Sequence, residues 1–171
     1  MKEILKNLVA PMTLPEDSYL QQDTEILEIF VEEIEEIFQE LNQLFQQWQD
    51  QPELLKDIRR HFHTLKGSGR MVGALQAGEL AWTVEDTLNR VLNDSIALTP
   101  TVRRYTQYVL AFYQAKLYPC FKQGKALEHD LRPLILLGQQ LQQEHALDPN
   151  LVALLDQDVT DNSVTGLEWP S

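Results

Sequence analysis

The stretch 23-DTEILEIFVEEIEEIFQELNQLFQQW-48 gives the clearest secondary-structure signal in the chain. Its apolar residues recur in steps of three and four, which is the spacing of one stripe along an α-helix. From Asp23 to Glu40 the remaining positions include eight acids and no base, a composition typical of a solvated helix face. The stretch therefore predicts a long amphipathic helix with one buried stripe. That stripe consists of Ile26, Phe30, Ile34, Ile37, Leu41, Leu44 and Trp48.

Two more amphipathic segments follow this helix. Asp50 and Pro52 have the spacing of an N-cap and a first-turn proline, and they predict a second helix that reaches about Met71. Its apolar stripe is Leu55, Ile58, Phe62 and Leu65. The segment from Leu75 to about Asn93 predicts a third helix by the same periodicity.

The signals continue in the last part of the chain. Thr99 and Pro100 repeat the cap-and-proline pattern and predict a fourth helix. Its stripe is Val102, Tyr105, Val109 and Phe112. After Pro119 the periodicity weakens, but residues 127–141 predict a fifth, peripheral helix that Pro133 interrupts. The end of the chain, residues 156–171, is polar, lacks a period and is typical of a linker.

These segments together predict an all-α protein. Amphipathic helices with short connections hide their stripes in a shared core when they pack antiparallel. We therefore expect an up-down antiparallel four-helix bundle with an additional C-terminal helix. The chain has 171 residues, the size of one domain with tails.

The charge and the cysteine content narrow the functional classes. A formal net charge of -12 disfavours nucleic acid and anionic membrane as partners, since both would repel the chain. The single cysteine, Cys120, fits a reducing compartment. The apolar run at the N-terminus is too short for the core of a secretory signal, and no stretch of the sequence is apolar for long enough to span a membrane. We therefore expect a cytoplasmic protein.

The second predicted helix contains a basic strip around a histidine. Five bases and one acid lie between Lys56 and Arg70, although acids outnumber bases in the whole chain. On a helical wheel His63 lies roughly 120° from the centre of the apolar stripe, so its imidazole should face outward. Gly67 follows one turn later, where it either leaves room for a partner or, together with Gly69, ends the helix.

An exposed imidazole within a basic strip suits phosphoryl acceptance. At pH 7 a solvated imidazole is largely neutral and nucleophilic. Neighbouring cations attract a dianionic phosphoryl group or an acidic partner pocket. This chemistry also needs a group that holds the second ring nitrogen, because the tautomer decides which nitrogen attacks.

The motif 63-HTLKGS-68 resembles the signature of histidine phosphotransfer (HPt) domains. The runs 70-RMVGA-74, 79-ELAWTVEDTLNRV-91 and 23-DTEILEIFVEEIEEI-37 are most similar to the HPt domains of CheA-type hybrid histidine kinases. Within that group the chain is most like the ChpA-like kinases of pilus and twitching-motility chemosensory systems. The resemblance covers roughly residues 20 to 120.

The resemblance implies a role for each matching residue in the phosphorelay of a two-component system. His63 would accept a phosphoryl group and exchange it with an aspartate of a response-regulator receiver domain. Lys66 would stabilise the phosphoryl group, and Gly67 would give the partner access. Glu85 would accept a hydrogen bond from Nδ1 of the histidine and leave Nε2 to attack. The chain departs from the family pattern at Trp82, where a histidine is usual, and this departure affects the supporting network.

The resemblance also implies which partners and ions take part. The basic residues of the strip would contact an acidic receiver pocket; they are Lys56, Arg59, Arg60 and Arg70. No ATP-binding loop is recognisable, so we expect a phosphocarrier excised from a histidine kinase rather than an enzyme. The partners would be a receiver domain and a kinase catalytic core. We expect no cofactor on this domain, with Mg²⁺ bound by the receiver.

The same considerations divide the chain into four parts. These are an N-terminal extension (1–19), an HPt four-helix bundle (20–120), a peripheral helical segment (121–147) and a flexible linker or tail (148–171). The family pattern gives no role to the residues before 20 or after 120.

Other functional classes remain as alternatives at this point. One alternative is an HPt-like scaffold that binds partners without phosphorylation, although retention of the motif argues against it. His61 and His63 do not make a metal pair, because residues two apart in a helix point about 200° apart. We interpret His61 as a flanking or partner-contact residue. A metal-dependent bundle enzyme would require paired Glu-x-x-His helices, which the sequence lacks.

Overall fold

The computed structural model describes residues 2–143 and 146–159, and within these ranges the regular structure is helical, without β-strands. The α-helices are α1 (Lys2–Val9), α2 (Thr24–Trp48), α3 (Leu55–Val72), α4 (Leu75–Leu92), α5 (Pro100–Phe112), α6 (Tyr118–Gln123), α7 (Arg132–Gln142) and α8 (Pro149–Val152). Single 3₁₀ turns lie at Tyr19–Gln21, Pro52–Leu54 and Ala153–Asp156. The predicted all-α bundle with an additional C-terminal helix is confirmed.

Pairs of side chains show that neighbouring helices run antiparallel. Between α2 and α3, Glu40 contacts His61 while Glu33 contacts Ser68. The residue numbers rise on one helix as they fall on the other, as an up-down bundle requires. The same reversal relates α3 to α4. Arg70, about two turns after His63 on α3, contacts Glu79, whereas His63 contacts Glu85, which lies later on α4 than Glu79. The α3–α4 pair therefore presents its two inner faces to each other along most of its length.

The stripe of α2 forms much of the core. Phe30, Ile34, Leu41 and Trp48 are all buried, as the periodicity predicts. Ile26 is an exception: 42% of its surface is exposed, whereas the next residue, Leu27, packs against the core. The inclusion of Ile26 in the buried stripe was therefore wrong.

The start and the end of α3 differ from the sequence prediction. Asp50 does not cap the helix; a 3₁₀ turn at Pro52–Leu54 leads into it, and Gln51 takes the N-cap position of that turn. At the other end, α3 continues through both Gly67 and Gly69. It stops at Gly73, whose φ of 87° lies in the left-handed region that favours glycine. The interpretation that Gly67 and Gly69 terminate the helix is wrong.

Small residues bring α3 and α4 close together. A Cβ atom added at Gly69 would lie 3.2 Å from the backbone oxygen of Ala74 and 3.6 Å from the backbone nitrogen of Gly78. A side chain at Gly69 would therefore require the backbone to shift where α3 turns into α4. This close approach sets the spacing between the faces that carry His63 and Glu85.

The fourth helix is longer than its sequence signal. Thr99 caps it as predicted, since its hydroxyl accepts a hydrogen bond from the Val102 backbone nitrogen at 3.1 Å. A π-helical turn at Tyr113–Leu117 then joins α5 to α6 without a break. Pro119 explains that turn, because a proline ring clashes with the carbonyl four residues earlier unless the helix widens locally.

α7 is a core helix, which corrects the prediction of a peripheral segment at 121–147. Leu134 and Leu137 are fully buried, and the Tyr105 hydroxyl donates to the Leu134 carbonyl at 2.7 Å. Pro133 does not interrupt the helix but lies in its first turn. Backbone N–H groups in the first turn have no partner within the helix, so the N–H that proline lacks costs no hydrogen bond there. The helix therefore packs on the α4 and α5 side of the bundle, away from the α3–α4 contact face.

Two short helices, α1 and α8, pack against this added helix. Leu5 and Val9 of α1 are buried, and the Arg132 side chain donates to the Met12 carbonyl at 3.3 Å. Leu151 and Leu154 are also buried, so the linker predicted from residue 148 does not begin there. The remainder of that prediction, 160–171, lies outside the described residues. Within the described ranges, no helix has the length and apolar character needed to cross a membrane.

Candidate functional site

His63 projects from the middle of α3 into solvent. Its side chain is 58% exposed, whereas the neighbouring Phe62 and Leu65 are buried in the core. The 3.6-residue period explains this difference, because the core stripe and His63 lie on different sides of the helix. The predicted outward orientation of His63 is confirmed.

Glu85 holds the inner edge of the imidazole. It lies on α4, only 5% of its side chain is exposed, and its Oε2 is 3.0 Å from Nδ1 of His63. An ionised carboxylate only accepts hydrogen bonds, so Nδ1 carries the proton that it donates to Glu85. The lone pair of the neutral ring is then on Nε2, the nitrogen that Glu85 leaves unengaged.

Lys66 contacts the other oxygen of the same carboxylate. Its Nζ lies 2.8 Å from Oε1 of Glu85, and the side chain is 14% exposed. The Trp82 ring covers the ammonium group, with Nζ 4.6 Å from the ring centroid. Lys66 therefore turns back towards α4 instead of extending into solvent with the rest of the basic strip.

The two contacts keep Glu85 ionised. Burial on its own would raise the pKa of Glu85, but the hydrogen bonds and charges of Lys66 and His63 outweigh it, so the pKa is lowered. A carboxylate that stays charged well below neutral pH can orient the imidazole and stabilise positive charge that develops on it.

Gly67 lies beside this group on the exposed surface of α3. A Cβ atom added there would meet nothing within 4 Å. Packing within the domain therefore gives no reason for a glycine, in contrast to Gly69, whose Cβ would press against the α4 backbone. The space above Gly67 is open on the side from which a partner would approach His63.

His61 occupies a different environment from the one we expected. The residue is buried, and its Nε2 lies 3.0 Å from Oε2 of Glu40 on α2. Burial lowers the pKa of His61 more strongly than the Glu40 charge raises it. Its interpretation as a flanking or partner-contact residue is therefore wrong: it is a packed side chain of the α2–α3 interface. The two histidines contact different helices, and no group of three or more metal-ligating side chains occurs in the part of the chain that the structure describes.

The other basic residues of the strip lie on the same surface of α3. Lys56 and Arg60 are exposed, and Arg60 makes a long ion pair with Asp57 at 3.5 Å. Arg59 is half-buried, and Arg70 pairs with Glu79 at 3.3 Å. Exposed pairs of this kind contribute little to stability and exchange readily for other partners.

Sequence reasoning missed several side chains around this site. Trp82 is half-buried and lies against Lys66, a contact that was not expected from the sequence. Its position three residues before Glu85, on the same helix face, was the available signal. Met71 and Ile29 are exposed apolar residues, at 85% and 64%. The Ser68 hydroxyl donates to Glu33 at 2.6 Å. Met71 lies about one turn after Ser68 on α3, and Ile29 lies about one turn before Glu33 on α2, so both residues extend the exposed surface that these two helices share.

Comparison with known proteins gives one family and two similar relatives. The family model described as "Hpt domain" matches residues 25–113. Chemotaxis protein CheA of Listeria monocytogenes serovar 1/2a is 34% identical over 79 residues, which is 44% of this chain and 13% of the relative. Chemotaxis protein CheA of Listeria innocua serovar 6a matches with the same identity and coverage. The match thus spans a small part of these relatives, and no solved structure matches significantly.

Proposed function

This chain belongs to the Hpt domain family, and from that premise we propose that His63 accepts a phosphoryl group and exchanges it with an aspartate of a response-regulator receiver domain. The family makes the chain a histidine phosphotransfer domain of a phosphorelay, a phosphocarrier rather than a catalytic core. The observation that supports the specific role of His63 is its exposed imidazole, which a buried carboxylate holds at 3.0 Å.

The proposed step uses the lone pair of Nε2. This nitrogen attacks the phosphorus of an aspartyl phosphate in line with the leaving group, so that a P–N bond forms as the bond to the aspartyl oxygen breaks. The aspartate leaves as a carboxylate. The imidazole ring gains positive charge, which the ionised Glu85 stabilises through the proton on Nδ1. The reverse sequence returns the phosphoryl group to a receiver.

Lys66 changes partner in this proposal. In the structure its ammonium group neutralises Oε1 of Glu85 at 2.8 Å. A phosphoryl group on Nε2 brings a dianion next to this lysine, which has a long and flexible stem. We therefore expect Lys66 to divide its charge between Glu85 and the phosphoryl oxygens once His63 is phosphorylated.

The surface around His63 supports docking of an acidic partner. The chain has a net charge of -12, so an acidic receiver pocket would be repelled by most of its surface and attracted only to the basic strip. Gly67 leaves space beside the imidazole, and Met71 and Ile29 supply apolar contacts at the border. A small interface of this kind suits a transient complex. The Mg²⁺ that assists transfer would be bound by the receiver.

We also propose that the chain is part of a larger CheA-type histidine kinase. The two similar relatives are chemotaxis proteins, and the match covers 13% of their length. Such a parent would provide the kinase core that phosphorylates His63 from ATP. The motif's likeness to kinases of pilus and twitching-motility systems makes a hybrid kinase of that type the parent we propose.

The test is transfer of labelled phosphate. The chain is incubated with a kinase core and labelled ATP, or with a labelled phosphorylated receiver, and acid-labile, alkali-stable label is counted. We expect label on the wild type and on His61→Gln, and none on His63→Gln, with circular dichroism confirming that both variants are folded. A wild type without label would favour the non-phosphorylated scaffold, and label that persists in His63→Gln would refute the assignment of the acceptor.

A further inference from the structure

Trp82 occupies the position next to the proposed acceptor where this chain departs from the family pattern. It lies on α4, three residues before Glu85, so both side chains point to the same side of the helix. The ring is half-buried, and its centroid lies 4.6 Å from the ammonium nitrogen of Lys66. This distance is within the range of a cation–π contact.

Lys66 is consequently held from two sides. Oε1 of Glu85 lies 2.8 Å from its Nζ, while the Trp82 ring lies over the ammonium group. Only 14% of the lysine side chain remains exposed. A cation–π contact strengthens as the cation loses water, so the covered position of Lys66 makes the ring an effective partner.

We propose that Trp82 is a positioning residue that holds Lys66 on Glu85 for as long as His63 is unphosphorylated. This inference rests on the proposed function, because it assigns Trp82 a part in preparing the acceptor. With Lys66 on Oε1, the carboxylate has one oxygen fixed and presents Oε2 to Nδ1 of His63.

The charges around Glu85 make the effect measurable. Among the described residues, the titratable groups that contact Glu85 are His63 and Lys66, both on α3. α7 packs against the other side of α4 and presents the uncharged Gln142 to Thr83 and Thr87. Loosening Lys66 therefore removes one of the two contacts that lower the pKa of Glu85, and its pKa should rise.

An alternative role for Trp82 is simple apolar cover, and two substitutions separate the roles. Trp82→Phe keeps an aromatic face, and Trp82→Leu keeps apolar bulk without one. A role as apolar cover predicts the same behaviour from both variants. A cation–π role predicts that Trp82→Phe lies between the wild type and Trp82→Leu.

The first readout is NMR of the unphosphorylated chain. In the wild type the protons next to Nζ of Lys66 should be shifted upfield by the indole ring relative to those of the exposed Lys56. The shift should decrease in Trp82→Phe and disappear in Trp82→Leu, where the carboxyl carbon of Glu85 should also titrate at higher pH. Tyr118→Leu is the matched control, since it removes a ring 5.6 Å from Lys122 on α6 and should leave the Lys66 and Glu85 signals unchanged.

The second readout is the rate at which a kinase core phosphorylates His63. Because a partly covered cation–π contact is worth on the order of 1 kcal/mol, Trp82→Leu should slow the reaction about fivefold, most strongly on the acid side of the pH profile. An unshifted Lys66 in the wild type, or identical results from Trp82→Phe and Trp82→Leu, would overturn the inference. The NMR readout needs no phosphorylation, so it tests the role of Trp82 even if His63 proves not to be the acceptor.

Discussion

Replacing Glu85 by glutamine should slow phosphorylation of His63 about tenfold and leave the helical fold intact. The glutamine oxygen can still accept the proton of Nδ1 that Glu85 accepts at 3.0 Å, but without a negative charge. Hydrogen bonds to charged groups contribute about 1.5–3 kcal/mol and neutral ones about 0.5–1.5 kcal/mol, so the loss is about 1.4 kcal/mol. A barrier higher by that amount corresponds to a factor of about ten in rate.

The same substitution should reduce stability only slightly. It removes the carboxylate that Lys66 contacts at 2.8 Å, but Lys66 lies at the rim of the domain and can turn its ammonium group into water. We expect a loss on the order of 1 kcal/mol, or about 2–4 °C in melting temperature for a domain of this size. A far larger loss would mean that Glu85 is retained for folding.

The assay is single-turnover phosphorylation by a kinase core at pH 7.5, with the melting temperature measured on the same samples. Asp86→Asn is the matched control, because it removes the same charge from the next residue, which faces Arg90 at 3.7 Å. Asp86→Asn should react at the wild-type rate. If Glu85→Gln also reacts at the wild-type rate, Glu85 does not orient the acceptor and the reasoning is refuted.

Three further predictions concern α3. Gly67→Ala should raise the free energy of unfolding by about 0.5–1 kcal/mol, because the new Cβ meets nothing and alanine favours the helix. Phosphoryl transfer from a receiver should nevertheless slow, and an unchanged transfer rate would show that Gly67 is not part of the docking surface. Gly69→Ala should instead destabilise by about 1–3 kcal/mol in urea denaturation, since its Cβ would lie 3.2 Å from the Ala74 oxygen; equal stability of the two alanine variants would contradict the packing described above. His61 is buried and its pKa is lowered in the folded chain, so as the pH falls the unfolded chain binds a proton at this position first. The stability that the neutral His61 contributes above about pH 6.5 should therefore be lost as the pH falls from there towards the lower pKa of the folded chain. His61→Gln should flatten that decrease in melting temperature, whereas an unaltered pH dependence would show that other groups cause it.

Periodicity predicted where several of the helices begin. α2, α4 and α5 begin within about two residues of the positions expected from apolar spacing and from the cap at Thr99. Periodicity could not predict that α7 is a continuous, buried helix. A proline such as Pro133 is compatible with the first turn of a helix and also with an interruption inside one, and the sequence alone does not distinguish the two positions. Which of the two applies depends on where the chain enters the α4–α5 groove, and that is a tertiary property.

The site was only partly accessible from the sequence. A helical wheel placed His63 outside the core without any comparison. The pairing of His63 with Glu85 depends on the rotation of α3 against α4, which the sequence indicated only through family resemblance. The contact of Lys66 with Glu85 and the Trp82 ring depends on the conformation of the lysine side chain. A helical wheel shows where a side chain leaves the backbone but not where the end of a long side chain lies.

The most direct test of the central claim is to locate the phosphoryl group on the imidazole of His63. The phosphorylated chain, labelled with ¹⁵N in its histidines, can be examined by long-range ¹H–¹⁵N correlation at mildly alkaline pH, where phosphohistidine persists. Because Glu85 engages Nδ1, the phosphoryl group should be bonded to Nε2 of His63, with Nδ1 still protonated. A phosphoryl group on Nδ1, or on any other histidine, would contradict the account.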